Sequence, residues 1–383
     1  MKNILYLHAG AEMYGADKVL LELLKGLDKS QYNPIVVLPN DGVLVNALRE
    51  EGITTEVIPY PILRRKFFNP KGILDYSSSY IKYSKEIIKL VANTKIDLIH
   101  VNTTAVLEGI YLKKQLKAPI VWHIHEILLK PKFMYHLLNF LIGKCSDTIV
   151  VVSEAVKAHV CQSKFVNPEK VKVIYNGINN QEFHPKNETE YLRNELHIPH
   201  DSVIVGMIGR VNAWKGQGDF LSAVEPILAK YDDVYALMVG GVFEGEEWRM
   251  EELKSKVAQS SNKERIIIQD FRKDTPNIHN LFDIFILPST NPDPLPTVVL
   301  ESMASGKPVI SYNHGGAMEM VREDVNGLFS KAGVPSGITS NIELLLDDSK
   351  LREKMGRNSA ERQATLFSLV SYVKNFQDLY DCF

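Results

Sequence analysis

Two cations in the second half of the chain have types and a spacing that suit a phosphate-bearing ligand. Arg210 and Lys215 lie five residues apart in the segment GMIGRVNAWKG, directly after the apolar run Val203–Ile208. An arginine fork and a lysine point charge at the end of a strand could hold a diphosphate. The alternative is an ordinary strand–helix turn with exposed cations. The glycine spacing matches neither a dinucleotide-binding fingerprint nor a Walker loop.

A second motif, NPDPLPTVVLESMASGKPVIS, follows the apolar run Ile284–Leu287. Its prolines prevent a helix before Pro296, which suits the first helical position, so we expect a helix from there to about Ala304. The main-chain N–H groups of Thr297 and Val298 would then be available to an anion, as they are at other helix N-termini.

Two carboxylates flank this predicted anion site. Asp293 lies in the loop before the helix, and Glu301 lies about one turn into it. Carboxylates beside a phosphate are unfavourable unless they have a use, and accepting hydrogen bonds from sugar hydroxyls is the natural one. The alternative is a capping aspartate and a solvated glutamate.

The first half of the chain offers two histidines in WHIHE, at the end of the apolar run Ile120–His123. His123 and His125 point to the same side of an extended segment. A histidine at such a place is either a buried core residue or a group that contacts a substrate, and the segment alone leaves both readings open.

Short apolar runs alternate with helical stretches on both sides of these residues. This alternation predicts two doubly wound α/β domains with parallel sheets, and we expect ligands beyond the carboxyl ends of the strands, in the cleft between the domains. The predicted helices include Ala16–Leu27, Tyr80–Asn93 and Val106–Leu116. The predicted strands are Ile4–Leu7, Ile35–Leu38, Thr55–Ile58, Leu98–Val101, Ile120–His123, Thr148–Val152, Val203–Ile208, Ala236–Val239, Ile266–Gln269, Ile284–Leu287 and Pro308–Ser311.

The segment VIYNGINNQEFHP interrupts the alternation and marks the join between the domains. We expect a first domain over residues 1–180 and a second over 181–361. A C-terminal helix over about 362–383 is expected to pack back on the first domain.

The composition is that of an ordinary globular protein and excludes several classes. The chain has 383 residues, 45% hydrophobic and 23% charged, with a net charge of −2. Disorder is excluded, as is a basic nucleic-acid coat protein, so no nucleic-acid partner is expected. The three cysteines show no metal-ligand spacing and fit a reducing cytosol. The N-terminal apolar run is too short for an export signal, and no run reaches the length of a membrane span. We therefore expect a cytoplasmic protein.

The two motifs of the second half, G-x-x-G-R-x(4)-K-G and acid-x(7)-Glu, together resemble the family 4 glycosyltransferases of GT-B fold, which retain configuration and use nucleotide-activated sugars. The resemblance covers essentially the whole chain. It implies that Gly209, Arg210 and Lys215 bind the donor diphosphate, that Asp293 lies against the donor sugar, and that Glu301 holds the nucleotide ribose.

Two further segments of the second half take expected roles from the same resemblance. Leu295-Pro296-Thr297 stands where the family often has Phe-Gly-Leu, so these residues and Val298 are expected at the donor. Phe271 and Arg272 follow the strand Ile266–Gln269 and are expected at the nucleotide base, although an exposed aromatic beside a strand end is often only a packing residue.

In the first half, HAGAEMYGADK resembles a loop that closes on the donor phosphates and borders the acceptor. The expected donor contacts are Gly15 and Ala16, and Tyr14 is expected at the acceptor. The pair His125-Glu126 matches a His-Asp pair of the family, which favours His125 over His123 at the donor sugar. Asn102, His123 and Glu126 are expected on the acceptor side.

The expected chemistry is front-face attack by an acceptor hydroxyl, with His125, Arg210, Lys215 and Asp293 as the reacting set. The spacing of the carboxylates does not suggest a glycosidase pair. No D-x-D metal motif stands out in the sequence, and cations with a helix end can stabilise the leaving phosphate, so neither a metal nor a cofactor is expected.

Two basic and aromatic segments of the first half suit an anionic membrane surface and hence a lipid-linked saccharide acceptor. They are ILRRKFFNPKG, residues 62–72, and LLKPKFMYHLLNFLIGK, residues 128–144. Residues 1–180 carry a net charge of +7 and the remainder −9, which agrees with a membrane-facing first domain, peripheral on the inner face of the plasma membrane. A solvated loop and a buried helix are the alternative.

Over the whole chain, segments such as HAGAEMYGADKVLLELLKGL, WHIHE and DPLPTVVLESMASGKPVIS resemble those of bacterial capsule or cell-wall polysaccharide enzymes. The resemblance is greatest to rhamnosyltransferases that use dTDP-L-rhamnose. A UDP- or GDP-sugar donor remains an alternative, as do a UDP-sugar epimerase and a non-catalytic nucleotide-sugar-binding partner of a biosynthetic complex.

Overall fold

The computed structural model describes residues 1–64 and 67–383, and it divides the chain into two units. The first unit contains Met1–Gly177 and Leu369–Phe383, and the second contains Ile178–Ser368. The chain thus leaves the first unit just before residue 180 and returns later than about residue 362. The late return has a local cause, since a helix runs on to Leu366 and the buried Gln363 side chain donates to the Ile178 carbonyl at 3.3 Å.

The first unit is built on a parallel sheet that has seven strands among the described residues, in the order β3-β2-β1-β4-β5-β6-β7. The strands are β1 Lys2–Leu7, β2 Tyr32–Leu38, β3 Thr54–Val57, β4 Leu98–Val101, β5 Ile120–Ile124, β6 Thr148–Val151 and β7 Val171–Val173. The helices of this unit are α1 Gly15–Gly26, α2 Val43–Glu50, α3 Pro70–Leu90, α4 Glu108–Leu116, α5 Lys132–Cys145, α6 Glu154–Cys161 and α15 Leu369–Asp381.

The second unit is built on a six-stranded parallel sheet in the order β10-β9-β8-β11-β12-β13. The strands are β8 Val203–Ile208, β9 Val234–Val239, β10 Ile266–Gln269, β11 Ile284–Leu287, β12 Val309–Tyr312 and β13 Gly327–Ser330. The helices are α7 Glu190–Glu195, α8 Gln217–Lys230, α9 Trp248–Ala258, α10 Thr275–Leu281, α11 Thr297–Ala304, α12 Ala317–Met320, α13 Pro335–Asp347 and α14 Ser349–Leu366.

Each sheet has apolar inner strands that are buried on both faces, as in β4, β6, β11 and β12. Every predicted strand overlaps a strand of the structure, and the predicted doubly wound α/β architecture is confirmed. The edge strands β7 and β13 were not predicted. β7 has only three residues, and β13 begins with glycine and ends with serine, so neither gives a clear apolar signal.

Helix α3 begins well before the predicted start at Tyr80. The Asn69 side chain accepts a hydrogen bond from the Gly72 N–H at 2.9 Å, and Pro70 occupies the first turn. These are ordinary signals of a helix start. The expectation was wrong because the first turns of α3 carry few buried apolar residues.

Helix α15 belongs to the first unit although it follows the whole of the second unit in sequence. Its buried Phe376 and Tyr380 side chains pack in the core beside β1 and α1. The Tyr6 hydroxyl donates to the Tyr380 hydroxyl at 3.0 Å, and the Tyr380 hydroxyl lies 2.8 Å from Nδ1 of His100 on β4. The first unit therefore depends on two separate stretches of chain.

Candidate functional site

The loop after β8 holds Lys215 through the side chain of Asn212. Its Oδ1 atom accepts hydrogen bonds from the main-chain N–H groups of Trp214 at 3.0 Å and Lys215 at 2.9 Å. Gly216 ends the loop at φ +82°, where a Cβ atom would lie 1.9 Å from the Pro288 carbonyl oxygen. Glycine is therefore required for the close approach of this loop to the chain that follows β11.

The main chain of Gly209 and Arg210 is fixed by Gln217 of α8. The Gln217 Nε2 atom donates to the carbonyl of Gly209 at 3.2 Å and to that of Arg210 at 3.0 Å. The Arg210 guanidinium lies over the Phe243 ring, with Cζ 3.4 Å from the ring centroid. A cation held against an aromatic face keeps its charge and its edge for other partners. Neither Gln217 nor Phe243 was a predicted site residue.

Lys215 and Asp293, predicted to contact the diphosphate and the sugar, form an ion pair. Lys215 Nζ lies 2.8 Å from Asp293 Oδ1, and both side chains are mostly buried. The structure thus brings together two residues that are far apart in sequence. The pair is electrically balanced, and Arg210 is the second cation of this loop.

Helix α11 begins at Thr297, one residue later than predicted, and Pro296 takes the N-cap position. The N–H groups of the first turn, including Thr297 and Val298, have no partner within the helix because of helix geometry, and both residues are half-buried. The Leu295 side chain is buried. Since that side chain packs into the unit, it is the main chain of Leu295 that is available to a donor.

A histidine–glycine loop after β12 supports the loop that carries Asp293. The Gly316 N–H donates to the Asp293 carbonyl at 2.8 Å, and a Cβ atom on Gly315 would lie 2.5 Å from the same oxygen. His314 Nε2 lies 2.7 Å from the Ser289 carbonyl. Sequence reasoning missed this loop, although the residues HGG directly after a predicted strand are a signal for it.

Glu301 lies in a buried pair with a histidine of α10. His279 Nε2 is 3.0 Å from Glu301 Oε2, and both side chains are almost fully enclosed. The pair fixes where the carboxylate lies, so Glu301 is not a solvated surface residue. Nothing around His279 in the sequence pointed to this contact.

The Arg272 guanidinium is engaged by two carboxylates. It donates to Asp274 at 2.9 and 2.7 Å and to both oxygens of Glu195. These partners raise the pKa of Arg272 and hold the pKa of Asp274 at about 2, chiefly through hydrogen bonding between the two. The expected base contact by Arg272 stays a prediction. The neighbouring Phe271 ring remains 57% exposed.

In the first unit, His123 and His125 do point to the same side, with ring centroids 3.9 Å apart. His123 is fully buried, 5.1 Å from the Phe376 ring and 5.4 Å from the His100 ring. The expected acceptor contact by His123 is therefore wrong, because its ring is a core group. His125 is only half-buried, and burial lowers its pKa to about 3.

Asn102 and Glu126 hold His125 in place, and Asn102 is less accessible than expected of an acceptor ligand. Asn102 is buried, and its Oδ1 atom lies 3.0 Å from His125 Nε2. Glu126 accepts from the Thr103 hydroxyl at 2.6 Å and from the main-chain N–H of His125 at 3.2 Å. Burial raises the pKa of Glu126. Asn102 is thus a support of the histidine ring, which corrects its expected role.

The loop before α1 presents Tyr14, Gly15 and Ala16 at the carboxyl end of the sheet. Gly15 begins the helix, and the Tyr14 side chain is exposed. The Tyr14 N–H donates to Asp17 Oδ2 at 2.7 Å, and Asp17 Oδ1 lies 2.6 Å from His8 Nε2. Sequence reasoning missed His8 and Asp17, although a histidine directly after the first strand is a usable signal.

Across residues 1–64 and 67–383, no three or more His, Cys, Asp or Glu side chains are grouped so that they could hold a metal ion. In the second unit the structure brings together Lys215, Asp293 and the N-terminus of α11. Such a set can bind an anion and stabilise negative charge that develops on it.

Two models of known protein families match this chain, one on each side of residue 185. Residues 13–182 match the model described as Glycosyltransferase Family 4, and residues 188–362 match the model described as Glycosyl transferases group 1. The matched ranges follow the two parallel-sheet units closely.

Two curated proteins are similar over nearly their whole length. UDP-Gal:alpha-D-GlcNAc-diphosphoundecaprenol alpha-1,3-galactosyltransferase of Escherichia coli is 25% identical, over 94% of this chain and 95% of that protein. N,N'-diacetylbacillosaminyl-diphospho-undecaprenol alpha-1,3-N-acetylgalactosaminyltransferase of Campylobacter jejuni is 25% identical, over 98% and 96%.

The fold has a solved counterpart in Anabaena HepE, crystallised in complex with UDP. The two chains superpose with a TM-score of 0.86 at 24% identity, and 100% of each is covered. With two Rossmann-like units that match two consecutive glycosyltransferase domains, the chain is a glycosyltransferase of the GT-B fold, made of a family 4 domain followed by a group 1 domain.

Proposed function

We propose that this glycosyltransferase moves a hexose from a nucleoside diphosphate sugar to a saccharide carried on a lipid diphosphate. The proposal of a nucleoside diphosphate sugar as donor rests on one observation: Lys215, Asp293 and the start of α11 lie together in the second unit. The acceptor half rests on the two relatives, which are named for diphosphoundecaprenol acceptors and match almost the whole chain.

We propose a UDP-hexose as the donor. The Escherichia coli relative, named for UDP-Gal, supports this choice. The dTDP-L-rhamnose implied by the sequence resemblance is the competing donor. Phe271, with its exposed ring after β10, is the proposed platform for the base, and Glu301, fixed by His279, is the proposed acceptor of ribose hydroxyl hydrogen bonds.

Calorimetric titration with UDP, dTDP and GDP in the presence of EDTA tests the donor site. Tight binding of UDP that is lost in Arg210→Ala, and kept in the exposed control Arg357→Ala, is the expected result. Preference for dTDP would replace the UDP-hexose by dTDP-rhamnose. No binding of any of the three would remove the proposed donor site altogether.

The proposed chemistry is a retaining transfer without a metal. The bond between C1 of the sugar and the β-phosphate oxygen breaks, and its electron pair goes to the phosphate. An acceptor hydroxyl bonds to C1 on the same face, and its proton passes to the leaving phosphate. Arg210, Lys215 and the first N–H groups of α11 are proposed to stabilise the charge on that phosphate, and one such donor is worth about 10²–10³ in rate.

A turnover assay with a short-chain lipid-diphosphate saccharide tests the chemistry directly. Transfer should be undiminished in EDTA, and the anomeric proton coupling of the product should show retained configuration. Loss of activity in EDTA would refute metal independence. A protein that binds UDP but transfers sugar from neither donor would be a non-catalytic partner instead.

The first unit is proposed to serve the sugar and the acceptor. His125 is the residue that combines partial exposure with a firmly held ring, and we assign it a hydrogen bond to the reacting sugar. Tyr14, on the loop before α1, is the proposed acceptor contact, because its side chain is exposed there. Gly15 and Ala16 begin the helix beside it and are proposed to approach the donor phosphates.

A membrane-docking surface on the first unit would bring a lipid-linked acceptor within reach. Helix α5 buries one apolar side and exposes another, with Phe133, Leu137 and Phe140 at the surface. The Phe68 ring joins this surface, 5.5 Å from that of Phe133. No helix in the described part of the chain is both long and apolar enough to cross a membrane.

Basic side chains accompany this apolar surface, which we call the α5 face. Lys130, Lys132 and Lys144 belong to the same segment, and Arg64 and Lys71 belong to the segment before α3. Arg65 and Lys66, which also counted in the sequence argument, lie outside the described residues. Exposed aromatic groups with flanking lysines favour an anionic bilayer as the occupant of the α5 face.

Vesicle flotation tests the α5 face. The wild type should float with vesicles of phosphatidylglycerol and phosphatidylcholine at low salt, and the double variant Phe133→Ser/Leu137→Ser should float much less. Leu344→Ser removes an exposed apolar side chain of the second unit and should change nothing. Equal flotation of the wild type and the double variant would refute the docking surface.

A further inference from the structure

Four side chains of the first unit form one continuous line of hydrogen bonds that ends at His125. Asp17 Oδ1 lies 2.6 Å from His8 Nε2, His8 Nδ1 lies 3.1 Å from Asn102 Nδ2, and Asn102 Oδ1 lies 3.0 Å from His125 Nε2. Asp17, His8 and Asn102 are all buried, and only His125 is half-buried. The line therefore runs from the interior of the unit to its accessible histidine.

An ionised carboxylate at one end sets the direction of every donor in such a line. A carboxylate only accepts, so His8 carries a proton on Nε2. In a neutral ring Nδ1 is then an acceptor, whereas a doubly protonated ring would donate from Nδ1 to the Asn102 main-chain carbonyl, 3.3 Å away. The neutral ring is the state on which the next two steps depend. His8 Nδ1 then takes an N–H of the Asn102 amide, which turns the amide oxygen towards His125. That oxygen can only accept, so His125 must carry its proton on Nε2.

We propose that Asp17 is a positioning residue which, through His8 and Asn102, fixes the tautomer of His125 with the proton on Nε2 and the lone pair on Nδ1. This rests on the proposed contact between His125 and the substrate. In the described part of the chain His125 Nδ1 makes no hydrogen bond, so its lone pair is available to a hydroxyl group. His125 then acts towards the sugar or the acceptor as a hydrogen-bond acceptor.

The tautomer of His125 matters because its ring is neutral. Burial, helped by the neighbouring His8 and His100, lowers the pKa of His125 to about 3. A neutral ring has a single proton, so the nitrogen that carries it decides whether the substrate meets a donor or an acceptor. His123 cannot take over this role, because its ring is enclosed by core residues.

Asp17 also contacts the loop before α1, so one residue acts on both that loop and the tautomer of His125. Its second oxygen, Oδ2, accepts the N–H of Tyr14 at 2.7 Å. One buried carboxylate thus holds both the loop that carries Tyr14 and the far end of the line to His125. Its replacement should disturb the substrate side of the first unit in two ways, while the donor site of the second unit keeps its residues.

Nitrogen NMR of protein labelled with ¹⁵N-histidine tests the assignment, with His125→Gln to identify the His125 signals among the 11 histidines. The wild type should show protonated Nε2 and unprotonated Nδ1 at both His8 and His125. In Asp17→Asn the new amide can donate to His8, and the line should reverse, so that His125 becomes protonated at Nδ1. Asp17→Glu, which keeps the carboxylate, should keep the wild-type pattern.

Kinetics supply the functional readout. Asp17→Asn should lower kcat about 10- to 100-fold, the effect of one lost acceptor in a buried contact. The calorimetric UDP affinity should change far less, because Arg210, Lys215 and the start of α11 belong to the second unit. Asp75→Asn, an exposed carboxylate on α3, is the matched control and should behave as wild type.

The outcomes separate this inference from the proposed function. A wild-type His125 protonated at Nδ1, or a His8 protonated on both nitrogens, would overturn the inference even if Asp17→Asn does not fold. A reversed tautomer with unchanged kcat would overturn it too. Failure of the proposed function would show instead as absent transfer by the wild type with every donor.

Discussion

At the scale of single residues, the ion pair of Lys215 with Asp293 decides what a change at either position does. The two groups lie 2.8 Å apart and are mostly buried, so removal of one charge leaves the other uncompensated in a poorly solvated place. The lysine therefore has two tasks, to attract a phosphate and to neutralise the carboxylate beside it.

We expect Lys215→Ala to lower kcat/KM about 10²- to 10³-fold and to weaken UDP binding, because the bare Asp293 carboxylate repels the diphosphate. In Lys215→Ala/Asp293→Asn that repulsion is gone, so UDP affinity measured by calorimetry should partly recover. Lys254→Ala, at an exposed lysine of α9, is the control. If the double variant binds UDP no better than the single one, the carboxylate does not oppose the ligand.

The Phe243 ring stacks on the Arg210 guanidinium. A cation on an aromatic face gains about 0.5–2 kcal/mol, so Phe243→Ala should weaken UDP binding by about 2- to 30-fold. Trp248→Ala removes a ring that carries Arg249 rather than Arg210 and should leave the affinity unchanged. Equal losses in both variants would mean that the stacking on Arg210 has no special part in binding.

At the scale of elements, α4 begins with a fully buried carboxyl group. Glu108 is the first residue of that helix, and burial raises its pKa to about 8. Its charge in turn raises the pKa of the nearby Tyr60, Tyr76 and Tyr80, for which burial is the larger cause. The neutral form of Glu108 is therefore the one that suits the packing of α3 on α4.

Glu108 gives the first unit a pH-dependent stability. In the unfolded chain its pKa is about 4.3, so between that value and about 8 the folded state binds more protons. The free energy of unfolding should therefore fall as the pH rises through this range, by at most about 1.4 kcal/mol per unit. Urea unfolding of wild type and Glu108→Gln at pH 5, 6.5 and 8 checks this, since the variant should show a smaller decline. Parallel declines would rule out Glu108 as the cause.

The elements were largely predictable from the sequence, because buried parallel strands are continuous apolar runs and helix starts have local signals. The loops that we propose for the donor were chosen by the same logic, since Arg210, Lys215 and Asp293 follow such strands. The contacts that were not predicted share a physical cause. Arg272 and His123 were judged by their place beside a strand, whereas their contacts with Glu195 and Phe376 arise from chain that is far away in sequence.

The hydrogen-bond line of the first unit was missed for a related reason. Nothing in the sequence near Asn102 shows that His8 and His125 will lie on either side of it. That neighbourhood follows from the strand order, in which β4 lies between β1 and β5. A polar residue after each of three strands is a weak signal until the order of those strands is known.

At the scale of the whole molecule, the first unit needs α15 to close its core. Phe376 is fully buried against the rings of His100, His123 and Tyr380. Phe376→Ala should destabilise the first unit by about 3–5 kcal/mol, seen as a lower melting transition. Most of the UDP affinity should survive, because Arg210, Lys215 and the start of α11 belong to the second unit. Equal loss of UDP binding would show that the units do not behave independently.

The first unit consists of two separate stretches of chain, which affects when it can finish folding during translation. The ribosome completes Met1–Gly177 first, then all of Ile178–Ser368, and only then Leu369–Phe383. At about 5–20 residues per second, roughly 10 to 40 s pass before the closing helix exists. During that interval the second unit can fold, while the nascent first unit still exposes the aromatic and histidine side chains that Phe376 and Tyr380 will cover. The unit made first is therefore finished last, and it is the one that a chaperone would need to guard during translation.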